Sequence, residues 1–243
     1  MRVSLFIPCL VDAFLPEVGE ATAGVLERLG FALDYPKGQT CCGQPAFNAG
    51  HWQEARKVAR QFLRAFSNSE VIVCPSGSCV SMVRNHYQRL FENNPRELEQ
   101  AREIGKRAFE FTEFLVRRLG VTDVGASFHG KVTLHDSCHL NRELGIKEEP
   151  RTLIRAVSGA ELIEMDEPER CCGFGGSFSI KFPEVSVAMV SMKAESIIGS
   201  GANAVVVCDP GCMIQIRGYL SRIKSNVKVM HIATLLASGP SRR

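Results

Sequence analysis

One cysteine pattern is written twice along this chain, and that repeat constrains the fold more than any other feature. The first half reads Cys9, then Cys41-Cys42-Gly43, then Cys74-Pro75-Ser76-Gly77-Ser78-Cys79. The second half reads Cys138, then Cys171-Cys172-Gly173, then Cys208-Asp209-Pro210-Gly211-Cys212. Cys9 and Cys41 stand 32 positions apart, and Cys138 and Cys171 stand 33 apart. The next intervals are 32 from Cys42 to Cys74 and 36 from Cys172 to Cys208. All ten cysteines of the 243-residue chain fall into this scheme, five and five. A chain that repeats itself is expected to fold as repeated units.

The flanks repeat too. Val3–Pro8 precedes Cys9 and Lys131–Asp136 precedes Cys138, and both read as strands. Val71-Ile72-Val73 runs into Cys74, and Ala204-Val205-Val206-Val207 runs into Cys208, short β-branched runs of buried-strand type. Helical patterns follow each CysCysGly, over His51–Phe66 and Pro183–Ile198, and Pro16-Glu17 opens another helix. Each half closes on a strand that turns into a helix, Phe109–Arg118 and Val227–Ala237. Asn94–Arg107 is present only in the first half and reads as an added surface helix. Strands alternating with helices predict an α/β fold of two pseudo-repeated half-domains, each a largely parallel sheet with flanking helices. The expected halves are 1–125 and 126–243, joined near Gly125–Gly130.

Composition then narrows the function. Lys and Arg number 29 against 26 Asp and Glu, a net charge of +3 that argues against a nucleic-acid binder. No apolar run is long enough to span a membrane. The N-terminus carries a short apolar run broken by Pro8 and Asp12, unlike a secretory signal, so a cytoplasmic location is expected. Disulfides are rare there, and cysteines instead bind metal or do redox chemistry. Adjacent side chains should also diverge, which fits the pairs Cys41-Cys42 and Cys171-Cys172 poorly to a disulfide framework.

In a parallel α/β unit ligands gather at the C-terminal ends of strands, where Cys9, Cys74, Cys138 and Cys208 are expected. Cys79 and Cys212 fall at expected helix N-termini, where the helix dipole favours thiolate. Gly43 and Gly173 permit positive φ and close approach, freeing backbone N–H groups toward sulfur and a bound cofactor. Each half can thus collect five thiolates. Structural zinc takes four ligands, commonly from Cys-x-x-Cys knuckles, and this chain has none. An iron–sulfur cluster accepts more scattered thiolates, so it leads, with zinc and metal-free thiol redox chemistry as alternatives.

The duplicated spacing around CysCysGly resembles the cysteine-rich CCG domain found in heterodisulfide reductase and in the iron–sulfur subunit of glycolate oxidase. Cys41-Cys42-Gly43-Gln44-Pro45-Ala46-Phe47-Asn48, Gly77-Ser78-Cys79, Cys171-Cys172-Gly173-Phe174-Gly175-Gly176-Ser177-Phe178-Ser179 and Val229-Met230-His231-Ile232 make the whole chain most similar to the lactate-utilization protein A family. That resemblance implies a cytoplasmic multi-protein system oxidising L-lactate to pyruvate. This chain would serve it as a non-autonomous redox subunit beside other iron–sulfur proteins. It implies one or two iron–sulfur clusters of [4Fe–4S] type on Cys9, Cys41, Cys42, Cys79, Cys138, Cys171, Cys172 and Cys212. The family pattern ends in Cys-x-x-Cys, and both terminal pairs here are wider. Cys74 and Cys208 therefore stand either as further ligands or as buried strand-end residues. Two other functions remain: a heterodisulfide-type reductase with a catalytic noncubane [4Fe–4S] cluster, and a zinc-stabilised assembly module. No residue carries a catalytic assignment.

Other residues have plainer readings. His135 and His139 flank Cys138 and are read as a strand end and a helix start rather than ligands, with proton shuttling open. His51 and His231 read as helix-start residues, and Phe47 and Trp52 as core. Arg56, Lys57, Arg60 and Arg64 read as a solvated helix face, and Ser238–Arg243 as a frayed tail. Gly173-Phe174-Gly175-Gly176 lacks the features of a nucleotide-binding loop.

Overall fold

The computed structural model describes residues 1–239 and contains two four-stranded sheets, each wholly parallel. The first is ordered β2-β1-β3-β4, with β1 at Arg2–Leu5, β2 at Ala32–Asp34, β3 at Ile72–Cys74 and β4 at Ala108–Glu110. The second is ordered β6-β5-β7-β8, with β5 at Ser127–His135, β6 at Ser158–Leu162, β7 at Ala204–Val207 and β8 at Lys228–His231. The chain is thus an α/β protein written twice. Burial explains the β-branched runs: Val205, Val206 and Val207 are wholly buried in a central strand. Each such side chain contributes about 1.5–3 kcal/mol relative to exposure.

The strand order places the ligand-binding end. β1 and β3 are neighbours, but the chain leaves β1 for β2 on one side before returning to β3 on the other. Their C-terminal ends mark the reversal of strand order, where connecting loops part and leave a crevice. Cys9 opens the helix Cys9–Phe14 after β1, and Cys74 ends β3. β5 and β7 repeat this geometry, with Cys138 beyond β5 and Cys208 beyond β7.

Expected and observed elements differ mainly at edges. β1 ends at Leu5 rather than Pro8: the Ile7 N–H already turns from the ladder to Gln39 Oε1 at 2.9 Å, and Pro8 has no N–H to offer. β2 and β6 give no clear signal in the sequence, since both are edge strands of mixed, half-exposed residues. The added helix is Pro95–Arg107, its first turn capped by Asn94, whose Oδ1 accepts from the Glu97 N–H at 3.2 Å. Arg60 and Arg56 are not simply a solvated face. Arg60 grips Glu97 of that helix at 2.6 and 3.0 Å, and Arg56 donates to the Leu90 carbonyl at 2.7 Å. Ser238 is held, not frayed: its carbonyl accepts from Ser127 N–H at 2.9 Å and its hydroxyl donates to Ser127 O at 2.8 Å. The remainder of the expected tail, 240–243, lies outside the described residues.

The halves exchange contacts in matching pairs of elements. Helix Pro16–Arg28 packs on Ile232–Ala237 of the other half, and Glu148–Arg155 packs on Phe111–Glu113 and the π-helical turn Phe114–Arg118. Gly77–Ser81 meets the π-helical turn His139–Glu143, while Cys9–Phe14 meets Pro210–Arg222. The approach is close at Gly77, where a Cβ would lie 2.9 Å from the Leu140 side chain. Among the described residues, no helix is long and apolar enough to cross a membrane.

Candidate metal centre

Both strand-order reversals open toward the same space. A cavity of about 670 Å³ is lined by Cys9, Cys41, Cys42 and Cys79 from one half and Cys138, Cys171, Cys172 and Cys212 from the other. Cys74 and Cys208 are fully buried and do not line it. The sequence suggests two separate pockets; the structure gathers eight thiols around one shared cavity.

Helix capping sets two of these thiols. Ser76 caps Gly77–Ser81 and Asp209 caps Pro210–Arg222, and in each case the third residue after the cap is a cysteine, Cys79 and Cys212. The cap fixes the backbone turn and so aims a thiol inward from the helix N-terminus. The CysCysGly turns set four more. Gly43 and Gly173 adopt φ of +87° and +79°. This left-handed turn folds the backbone back so that Gly43 N–H faces Cys41 Sγ and Gly173 N–H faces Cys171 Sγ, both at 3.4 Å. Gly173 has no room for more: a Cβ would meet Ser186 O at 2.7 Å. The adjacent thiols converge rather than diverge, because the turn is not a strand and the alternation of side-chain direction does not apply.

The sulfurs form a connected series in each half. Cys9 contacts Cys41, Cys41 contacts Cys42, and Cys42 contacts Cys79. In the second half Cys138 contacts Cys171, Cys171 contacts Cys172, and Cys172 Sγ lies 3.2 Å from Cys212 Sγ. Exposure grades along the series, from half-open Cys41, Cys138 and Cys171 to buried Cys42, Cys79, Cys172 and Cys212. Crowding splits the proton affinities. Cys41 is held below the ordinary thiol range by hydrogen bonds from Cys42 and Cys9 and by the Gly43 N–H. Cys171 is lowered likewise by Cys138, Cys172 and the Gly173 N–H. Cys79 and Cys212 are lowered first by hydrogen bonds from Cys42 and Cys172. Their partners Cys9, Cys42, Cys138 and Cys172 are raised, first by those same hydrogen bonds and then by burial. The donor set fits a thiophilic metal or an iron–sulfur cluster.

Several residues around the thiols escape a cysteine-centred reading. Asp209 lines the cavity and joins the halves: its Oδ2 accepts from Ser78 N–H at 2.9 Å and Ser76 Oγ at 3.3 Å, while Oδ1 accepts from Gly211 N–H at 3.1 Å. The Asp209-Pro210 pair is a helix-start signature that marks it in the sequence. Tyr87 is buried and donates to the Cys42 carbonyl at 2.9 Å, bracing the turn. Arg151, itself buried, grips Asp136 at 2.8 and 2.9 Å and Glu164 at 2.8 and 3.0 Å, fixing the loop that leads to Cys138. His139 lines the cavity, its Nδ1 3.5 Å from Cys138 Sγ and its Nε2 3.2 Å from Gln44 Nε2. His51 precedes the helix Trp52–Ala65, and His231 caps Ile232–Ala237 by accepting from Ala233 N–H at 3.2 Å. Phe47 and Trp52 stack on one another at 5.8 Å and do not line the cavity.

The model of the cysteine-rich CCG domain matches residues 3–84 and again 132–217, and these two stretches contain all ten cysteines. Full-length relatives agree. Lactate utilization protein A of Bacillus subtilis (strain 168) is 46% identical over 98% of this chain and 100% of its own length. The chain belongs to the lactate utilization protein A family. Lactate utilization protein A 2 of Bacillus cereus (strain Q1) is 43% identical, with both chains covered completely. Among solved structures, a putative Asp/Glu racemase from Yersinia pestis is 13% identical and covers 98% of this chain at a TM-score of 0.38, too distant a likeness to bear on function.

Proposed function

We propose that this chain is an iron–sulfur, electron-transferring subunit of a multi-protein system that oxidises L-lactate to pyruvate in the cytoplasm, beside other iron–sulfur proteins. The observation that carries the reading is the shared cavity with eight converging cysteine thiols, in a family named for lactate utilization. Cys9, Cys41, Cys42, Cys79, Cys138, Cys171, Cys172 and Cys212 would hold the cluster or clusters, with Gly43 and Gly173 turning backbone N–H groups toward sulfur. Such N–H groups stabilise thiolate and tune a cluster potential. When bound, the cluster supplies one-electron chemistry, while the chain fixes its ligands and limits water. Ile180, 82% exposed, stands at the cavity rim, where a redox partner could approach.

Anaerobic purification followed by iron and acid-labile sulfide analysis tests the reading. Iron and sulfide in matched amounts, with an EPR signal on reduction, are expected. Stoichiometric zinc without iron would remove the electron-transfer role and leave a structural module.

A further inference from the structure

The two halves repeat each other closely enough that a departure from the repeat is informative. In the first half the sulfur series has a fifth member. Behind Cys79 lies Cys74, whose thiol contacts Cys79 and helps lower it, giving the order Cys9, Cys41, Cys42, Cys79, Cys74. The second half offers Cys208 at the matching strand end. Burial and the charges of Glu110, Asp136 and Asp209, rather than a contacting sulfur, dominate its surroundings.

A different residue fills the fifth place. His135 ends β5, and one of its ring nitrogens lies with Cys172 Sγ and Cys212 Sγ in a group whose ligand atoms are all within 4.8 Å of one another. His135 is 1% exposed, Cys172 3% and Cys212 7%. Among the described residues, neither Nδ1 nor Nε2 of His135 makes a hydrogen bond of normal geometry, and the thiol that it does approach, helping to lower it, is that of Cys212. Burying an imidazole with its nitrogens unmet is costly, and the cost is normally avoided by hydrogen bonding or by metal ligation. The Cys172 and Cys212 thiols lie within 4.8 Å and, with a metal that they bind, can meet it. The position before Cys9 that matches His135 is Phe6, packed edge-on against Phe62 and Phe66, so the first half has no nitrogen there.

We infer that the two halves hold metal with unequal donor sets: five thiolates in the first, with Cys74 reaching from behind Cys79 beneath the cavity wall, and four thiolates with the His135 imidazole in the second, Cys208 being a packing residue. The inference rests on the metal-binding reading above and adds the identity of the fifth donor. Imidazole is neutral where thiolate is anionic, so the second site carries one fewer negative charge. A less negative ligand set raises a cluster's reduction potential, as histidine does where it replaces cysteine in Rieske-type centres. The two sites would then differ in potential along one cavity, which gives electron passage a direction.

Pulsed EPR on the whole chain tests this, with iron and sulfide reconstituted anaerobically in one sample and cobalt(II) alone in another. Strong ¹⁴N coupling is expected in the wild type, replaced by ¹⁵N coupling after histidine labelling. His135→Phe, which copies the first half, should abolish the coupling and lower the potential of, or strip metal from, the second site alone. Cys208→Ser should leave metal content and coupling unchanged, whereas Cys74→Ser should deplete the first site. Circular dichroism on each variant separates loss of fold from loss of ligand. Absence of nitrogen coupling in both metal forms overturns the inference, and so does metal loss in Cys208→Ser with retention in His135→Phe. A chain that takes no iron but shows nitrogen-coupled cobalt keeps the donor set and sinks only the iron–sulfur reading.

Discussion

Single residues set the thiols with little tolerance, and Gly173 is the sharpest case. Its φ of +79° and the Ser186 carbonyl 2.7 Å from a would-be Cβ leave no space for a side chain. Gly173→Ala therefore combines a strained left-handed backbone with a clash, at a cost of about 1–3 kcal/mol or more. The expected result is a lower urea midpoint and loss of metal from the second half; Gly43→Ala should be milder, since its nearest obstacle is 3.4 Å away. Equal effects at the two glycines would contradict the packing difference. Glu110 gives a pH prediction. It is wholly buried, and burial pushes its carboxyl up to about 8, although Thr112 and Glu113 donate to it. An ordinary carboxyl, as in the unfolded chain, releases its proton near 4.5. Between those values the folded state holds more protons, so Glu110's contribution is full below 4.5 and is lost as pH rises through about 8. Glu110→Gln keeps a cap acceptor and removes the proton. Urea unfolding of metal-free protein across that window should show a flatter pH dependence in the variant; an identical slope would assign the effect elsewhere.

At the scale of elements, helix caps join local and long-range order. Asp209 both starts the helix Pro210–Arg222 and receives Ser78 and Ser76 from the opposite half. Asp209→Ala removes a cap and two charge-assisted bonds at once, an expected loss of about 2–4 kcal/mol. Asp209→Asn, which retains the cap, should lose roughly 1 kcal/mol. Denaturant midpoints of the two variants check the order, and a smaller loss for alanine would mean that the bridge between halves contributes nothing. The central strands and the helices that follow CysCysGly were legible in the sequence, because burial selects β-branched runs and amphipathic helices leave a period. Edge strands β2 and β6 were not, because a half-exposed strand has no such signature. The gathering of thiols within each half was legible from the strand ends and helix starts that they occupy. That both sets face one cavity depends on contacts such as Gly77 against Leu140, between residues 63 positions apart, which no local pattern encodes. His135 was visible beside Cys138, but its role depends on what the fold denies it, a hydrogen bond of normal geometry.

For the whole molecule, the exchange of helices between halves decides how the chain unfolds. Helix Pro16–Arg28 belongs by sequence to the first half, yet packs on Ile232–Ala237 of the second, and Arg28 donates to the Leu236 carbonyl at 2.7 Å. Glu148–Arg155 makes the reciprocal crossing, with Arg117 of the first half paired to Glu149. Wholly buried Val18, Val25 and Leu26 lie on the first of these helices, and Leu153 and Ile154, almost wholly buried, lie on the second. A half that opened alone would expose such surfaces on both itself and its partner, at about 1.5–3 kcal/mol for each large apolar side chain. Neither half should therefore open first, despite the duplicated sequence. Trp52, the only tryptophan, reports on the first half by fluorescence, and the wholly buried Cys208 reports on the second by thiol labelling. In metal-free protein both probes should follow one urea transition with a common midpoint and slope. Two separated midpoints would show that the repeats hold themselves together independently, and that the cavity between them is a loose junction rather than part of a common core.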